Sequence, residues 1–322
     1  MSREYSLLPS IIEAIGSTPL VELSRTTKNM DGRILAKLDY LNPGLSKKDR
    51  IARQIIEDAK DNGELKPGQT VVELTSGNTG TGLAIVCAIA GHPFVAVMSK
   101  GNSSERARMM IALGAEVILV DQLPHSTRGR VSGGDMELVE AKTNEVVNKR
   151  NAFRADQFQL EANFRSHYLQ TGPEFIKQSK GNIQGFCDFV GTGGTFAGCA
   201  TALKEHDPSI KCFIVEPKGA AALAEQPVTN PNHRIQGGGY SKSKLHHVKP
   251  DLIDGFIELS DEDAIKAARH LARQEGIYAG FSSGANIAAA IQLLSGPLKG
   301  HTVATTINDS GLKYLSTDLW ES

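Results

Sequence analysis

Short apolar runs alternate with helical patterns along nearly the whole chain, and this alternation constrains the fold more than any other feature. Val71 to Leu74, Phe94 to Met98, Val117 to Val120, Phe186 to Val190, Cys212 to Val215, Phe256 to Leu259 and Val303 to Ile307 read as strands. Between them lie helical patterns: an Ala-rich one ending at Gly91, Ser104 to Leu113 stopped by Gly114, and a polar one from Met136 to Lys149. Strands separated by helices pair in parallel and are covered on both faces, so the fold class is α/β with mainly parallel sheets. At 322 residues the chain has room for two domains. No linker divides it into halves, so two domains have to be interleaved. Two stretches break the rhythm. Pro124 to Gly134 is Gly- and Ser-rich and reads as an exposed loop. Gln226 to Pro250 is a long irregular span, of the kind that is often functional.

Composition narrows the function classes. The net charge is −1, which gives no support for a nucleic-acid or membrane-surface partner. No run approaches the roughly 18 apolar residues of a membrane helix, and the N-terminus shows no signal-peptide pattern. Cys87, Cys187, Cys199 and Cys212 form no CxxC pair and read as reduced core residues of a cytoplasmic protein. The histidines show no metal-site spacing, so no metal is expected.

The chemistry centres on Asn42 to Arg50, NPGLSKKDR. It follows a strand-like run, Arg33 to Tyr40, and opens a helix in which Ile51, Ala52, Ile55, Ile56 and Ala59 recur at helical spacing. Ser46 and Asp49 have capping-box spacing. Lys48 then sits in the first helical turn, where the helix dipole and partial burial disfavour an ammonium. A lysine held this way is suited to Schiff-base chemistry. An arbitrary surface lysine at a helix start is far commoner, so Lys48 gains weight only from its company.

That company is a set of glycine-rich turns. TSGNTG (Thr75 to Gly80) and GTGGT (Gly191 to Thr195) each follow a strand and precede a helix, and SSGAN (Ser282 to Asn286) reads as a third such turn. Amides and hydroxyls at helix N-termini bind carboxylates and phosphates, so the set points to an anionic ligand at the strands' carboxyl ends. A nicotinamide enzyme is the competing reading, with Glu216 as the ribose-binding acid, although neither loop fits GxGxxG.

Together these motifs resemble the O-acetylserine sulfhydrylase (cysteine synthase) and cystathionine β-synthase family of fold-type II pyridoxal-phosphate enzymes. The resemblance runs from GSTPLVEL at Gly16 to SGLKYLST ending at Thr317. It implies two interleaved domains like those of the tryptophan synthase β-subunit. Residues 41–155 would form the smaller, with the carboxylate-binding loop; residues 1–40 plus 156–322 would form the larger, with the phosphate loop. Lys48 matches the lysine that bonds covalently to pyridoxal 5'-phosphate and serves as the catalytic base. Gly191, Thr192, Gly193, Gly194 and Thr195 match the loop for its phosphate. Asn78 matches the residue at its ring oxygen, and Ser310 the serine facing its pyridine nitrogen. Thr75, Ser76, Asn78 and Thr79, with Gln157, match the grip on the substrate carboxylate. HYLQTGPEF (His167 to Phe175) and IQGGG (Ile235 to Gly239) match two further family segments.

The implied activity is β-replacement on a serine or cysteine derivative, as in making cysteine from O-acetylserine and sulfide. A cystathionine β-synthase-like condensation of serine with homocysteine, or β-elimination of cysteine releasing sulfide, are alternatives. The implied partners are small-molecule amino-acid substrates and a second copy in a homodimer. Leu45 stands where the family has glycine, Lys47 where it has a small apolar residue, Leu160 in place of a proline, and IQGGGYS in place of IQGxGAGF. Gly101 and Asn102 also interrupt a family segment. These departures bear on the second substrate rather than on the cofactor.

Overall fold

The computed structural model describes residues 7–126, 131 and 133–321. In chain order the regular elements are β1 (Leu20–Glu22), β2 (Arg33–Lys37), α1 (Lys48–Asp61), β3 (Val71–Leu74), α2 (Asn78–Ala90), β4 (Phe94–Ser99), α3 (Ser104–Ala112), β5 (Glu116–Val120) and α4 (Gly133–Arg150). There follow β6 (Phe153–Arg154), α5 (Ala162–Ser166), a π turn at His167–Thr171, α6 (Gly172–Ser179), β7 (Gly185–Phe189), α7 (Gly194–His206), β8 (Lys211–Pro217), β9 (Gly255–Leu259), α8 (Asp261–Glu275), α9 (Phe281–Ser295) and β10 (Thr302–Thr306).

The chain divides into two compact units. One contains the N-terminal segment ending at Ile15 together with Asn42–Asn163; the other contains Gly16–Leu41 and Phe164–Ser322. The smaller unit is thus wider than residues 41–155. Ile15 enters its apolar core with Ile51 and Leu83, and Gln157 is tied to Glu73 and Thr79 by hydrogen bonds.

The smaller unit is built on a parallel four-stranded sheet of order β5-β4-β3-β6. Successive strand side chains point to opposite faces, and the core follows that rule. Val71, Phe94, Ala96 and Met98 enter one cluster, with Ile51, Ile55 and Ile56 of α1 and Leu83 and Val86 of α2. Val72, Leu74, Val95 and Val97 enter the other, with Val139 and Val146 of α4. Covering both faces lets β3 and β4 be apolar at nearly every position.

The other unit carries a six-stranded sheet of order β1-β2-β10-β7-β8-β9, parallel except for β1. Ile34, Cys187, Val215 and Val303 face a core shared with α8 and α9. Leu35, Phe186, Ile214 and Ala304 face a second core with Phe196 and Leu203 of α7. Burying each such Phe, Ile or Leu contributes about 1.5–3 kcal/mol. The four cysteines are buried and form no disulfide, and burial pushes the thiols of Cys87, Cys187 and Cys212 up to about 12.

Two local expectations change. The strand expected over Arg33 to Tyr40 ends at Lys37, because Asp39–Leu41 turn in a short 3₁₀ segment with Asp39 buried. SSGAN is not a turn: Ser282 to Asn286 lie inside α9. There Gly284 lets α9 press on α8, since a Cβ at that position would overlap the carbonyl oxygen of Ala264. The span Gln226 to Pro250 is irregular as expected, up to a 3₁₀ turn beginning at Pro250. The expected loop Pro124 to Gly134 falls partly on residues 127–130 and 132, which lie outside the described residues.

Candidate active site

In the smaller unit, Lys48 is the first residue of α1 and is half-buried. The turn that delivers it differs from a capping box. Ser46 Oγ accepts from Lys48 N at 3.3 Å, while the Asp49 carboxylate reaches back past Ser46 to the amide of Gly44. Leu45, between them, adopts the left-handed conformation with φ of 61°, which a side chain takes at a cost of about 1–2 kcal/mol. The start of α1 rests on α2. A Cβ on Gly82 would lie 3.0 Å from the Ala52 Cβ and 3.1 Å from the carbonyl oxygen of Lys48. Glycine at 82 therefore brings the lysine's backbone onto the helix that the TSGNTG loop opens.

That loop is held from within. Thr75 Oγ1 accepts the amides of Gly77 and Gly80 at 3.0 and 2.9 Å. Arg106, buried on α3, donates to the Ser76 carbonyl at 2.8 Å. Thr75 and Thr79 are buried, whereas Ser76 and Asn78 are half-exposed. Asn78 and Thr79 begin α2, where helix geometry leaves the first N–H groups without intrahelical acceptors. Thr79 Oγ1 donates to Gln157 Oε1 at 2.7 Å. The Gln157 side-chain nitrogen donates to Glu73 Oε1 at 3.3 Å and to the Leu74 carbonyl at 3.4 Å. Glu73 is fully buried, with Arg154 Nε 3.1 Å from its Oε2. Burial nevertheless pushes its carboxyl up to about 8, against the pull of Arg154. The sequence reading thus grouped Thr75, Ser76, Asn78, Thr79 and Gln157 but missed Glu73, Arg106 and Arg154. A glutamate inside the apolar run VVEL was the available signal for Glu73.

In the other unit, Gly191 to Thr195 link β7 to α7. Gly193 has φ of 84° and caps α7, a helix of 13 residues. A Cβ on it would lie 2.6 Å from Val248 Cγ2, so the loop fits only with glycine there. The Tyr240 ring borders the same loop, 3.5 Å from where a Cβ on Gly191 would sit. The amides of Gly194 and Thr195 have no intrahelical acceptor. The Thr195 hydroxyl is 3.1 Å from His167 Nε2, and His167 Nδ1 is 2.9 Å from the Thr171 hydroxyl. His167 belongs to the π turn and is fully buried. Its segment was singled out in the sequence, but its bond to the loop was not.

Ser310 follows β10 and caps a short 3₁₀ turn, with Oγ accepting from Leu312 N at 3.3 Å. It is buried, and its backbone pairs with Ala279. Asp309 beside it accepts from the Tyr314 hydroxyl at 2.6 Å. The serines of SSGAN brace this segment. Ser283 Oγ accepts from Asn308 N at 2.9 Å, and Asn308 Nδ2 donates to Ser282 Oγ at 3.0 Å. Glu216, the acid of the nicotinamide reading, has its two oxygens taken by the amides of Leu223 and Ala224, so it braces its own loop.

The chain as a whole is similar to known proteins. A cysteine synthase of Staphylococcus aureus (strain Mu50 / ATCC 700699) is 38% identical over 315 residues, covering 97% of this chain and 96% of that protein. Cysteine synthase 3 of Caenorhabditis elegans is 39% identical over 322 residues, covering 99% and 92%. The crystal structure of O-acetyl serine sulfhydrylase isoform 3 from Entamoeba histolytica matches with a TM-score of 0.90 at 34% identity, covering 100% of this chain and 94% of that one. The fold is therefore that of the fold-type II enzymes. The profile of the family described as "Pyridoxal-phosphate dependent enzyme" matches residues 11–309, and the chain belongs to that family.

Proposed function

We propose that this enzyme carries out β-replacement on a serine or cysteine derivative, in the manner of a cysteine synthase. The observation that carries this reading is the packing of the first turn of α1 on Gly82 of α2. It brings the backbone of Lys48 onto the helix that begins with Asn78 and Thr79.

The residues fit pyridoxal 5'-phosphate. Gly191 to Thr195 supply hydroxyls and open amides at the start of α7, a donor set suited to a phosphate. Only glycine fits at 193. Lys48 is half-buried at the start of α1 and is the lysine this reading assigns to the covalent bond with the cofactor. In this reading Asn78 is the partner for the ring oxygen and Ser310 the partner for the pyridine nitrogen. The bound cofactor supplies an electron sink for the charge left when the α-proton departs.

The protein's own groups direct the outcome. Thr75, Ser76, Asn78, Thr79 and Gln157 hold the substrate carboxylate and fix the α-carbon. Lys48 Nζ takes the α-proton and later returns one. The Ser310 hydroxyl meets the pyridine nitrogen as a neutral partner, which suits loss of a β-substituent over transamination. A thiol or sulfide then replaces that substituent. Leu45, Lys47 and Tyr240 bear on which acceptor is used. We also read the enzyme as a homodimer acting in the cytoplasm. The exposed Ile89 and Ile111 and the buried cysteines without disulfides support this.

The test mixes holoenzyme with O-acetyl-L-serine and follows the cofactor's visible absorption, then adds sulfide. The expected result is an absorbance change on adding donor, reversed on adding sulfide, with one L-cysteine and one acetate formed per donor consumed. Absence of any change with O-acetylserine, O-phosphoserine, serine and cysteine alike would refute β-replacement.

A further inference from the structure

A residue that holds a carboxylate has to offer it hydrogen-bond donors. Gln157 offers none as it stands. Its amide nitrogen is turned toward Glu73 and Leu74, and its oxygen takes the proton of Thr79. The pair therefore presents only acceptor lone pairs beside the loop. An ionised Glu73 enforces this orientation, because a carboxylate accepts and cannot donate. A protonated Glu73 can donate to the amide oxygen instead. The amide is close to isosteric end for end, so it can turn over within the same space. The turned amide gives up its 3.4 Å contact with the Leu74 carbonyl, and the new O–H bond from Glu73 offsets that loss. Its nitrogen then donates to Thr79 Oγ1, which frees the Thr79 proton for a ligand carboxylate.

We propose that Glu73 is a positioning residue for substrate-carboxylate binding: the proton it carries sets which end of the Gln157 amide meets Thr79, and so whether the pair donates or only accepts. The inference rests on the reading of Thr79 and Gln157 as carboxylate-holding groups.

The surroundings of Glu73 are built for such a role. Its Oε2 is 3.1 Å from Arg154 Nε, on β6. Arg154 is not its own to keep, because Glu140 of α4 lies 2.9 Å from the other end of the guanidinium. Asp156, just past β6, adds like charge. One cation is thus shared among three carboxyl groups, of which Glu73 is the fully buried one. Burial, the largest influence, favours its protonated form around neutral pH.

The experiment titrates holoenzyme with L-alanine, which has the carboxylate but no β-leaving group, and follows the cofactor's absorption. Glu73→Gln serves as the permanently donating mimic. Both proteins should bind L-alanine equally well near pH 7. With the Glu73 carboxyl at about 8, wild type should weaken about tenfold relative to Glu73→Gln for each pH unit above that value. The same pH dependence in both proteins, or weaker binding by Glu73→Gln at every pH, overturns the proposal. A second comparison on wild type guards against a variant that fails to fold. L-Alanine and L-alaninamide, each corrected for its own amine ionisation, should diverge above about pH 8, because only the first needs the donated proton. Parallel behaviour overturns the role of Glu73 alone, provided L-alanine binds better near neutral pH. If L-alanine binds no better than L-alaninamide even there, the carboxylate assignment of Thr79 and Gln157 falls and the proposal falls with it.

Discussion

The hydroxyl of Thr195 lies 3.1 Å from Nε2 of His167, a fully buried ring on the π turn that packs beside α7. Through Thr171 at 2.9 Å, the same ring ties the proposed phosphate loop to the turn behind it. His167→Ala removes the partner of both threonines. We expect cofactor affinity to fall about fivefold, equivalent to one net hydrogen bond of about 1 kcal/mol. The melting temperature should fall as well, because buried hydroxyls lose their partner. Equilibrium dialysis of the cofactor and a thermal melt check both; unchanged cofactor affinity would separate His167 from the loop.

Gly193→Ala is a more severe test of the same loop. The substitution forces a side chain into φ of 84° and against Val248. The expected cost is on the order of 2 kcal/mol or more. Visible cofactor absorption should be lost or greatly reduced while the far-ultraviolet circular dichroism of the fold persists. Full retention of the cofactor would show that this loop does not hold it.

Ser310→Ala separates two roles of one hydroxyl. As a cap, Ser310 contributes about 1 kcal/mol, so a small drop in melting temperature is expected. As the partner of the pyridine nitrogen, its loss should lower turnover about tenfold, about 1.4 kcal/mol of transition-state energy, with the cofactor still bound. Turnover equal to wild type would reduce Ser310 to its capping role.

Glu73 also makes stability depend on pH. Burial raises its folded-state carboxyl from the ordinary value of 4.5 to about 8. A raised carboxyl favours the fold fully below about pH 4.5, and that contribution is lost as pH climbs through about 8. Wild type should therefore lose stability between about pH 5 and about pH 9 relative to Glu73→Gln, in which the group cannot ionise. Chemical denaturation of both proteins across this range checks the sign. A stability difference that does not change with pH would show that Glu73 is ionised throughout.

The features legible in the sequence are those written in local pattern. The apolar runs became β3, β4, β7, β8, β9 and β10 within a residue or two, because most of these strands are buried on both faces and so carry apolar residues in unbroken stretches. Lys48 at a helix start and the loops at Thr75 and Gly191 were legible for the same reason. What escaped the reading is set by the fold. Arg154 finds Glu73 across 81 positions, and Gln157 meets Glu73 across 84. No spacing rule reports such pairs. Ser282 to Asn286 read as a turn because serine and glycine favour turns, yet the packing of α9 on α8 required a small residue inside a helix.

The central claim is that Lys48 carries the cofactor, and one chemical measurement addresses it. Purified holoenzyme is reduced with borohydride, digested, and its peptides are mapped by mass spectrometry. The expected result is a yellow protein whose absorption changes on reduction, with the pyridoxyl group fixed on the peptide containing Lys48 and no fixation in Lys48→Ala. A pyridoxyl group on another lysine in wild type, or a colourless protein that takes up no cofactor, would contradict it.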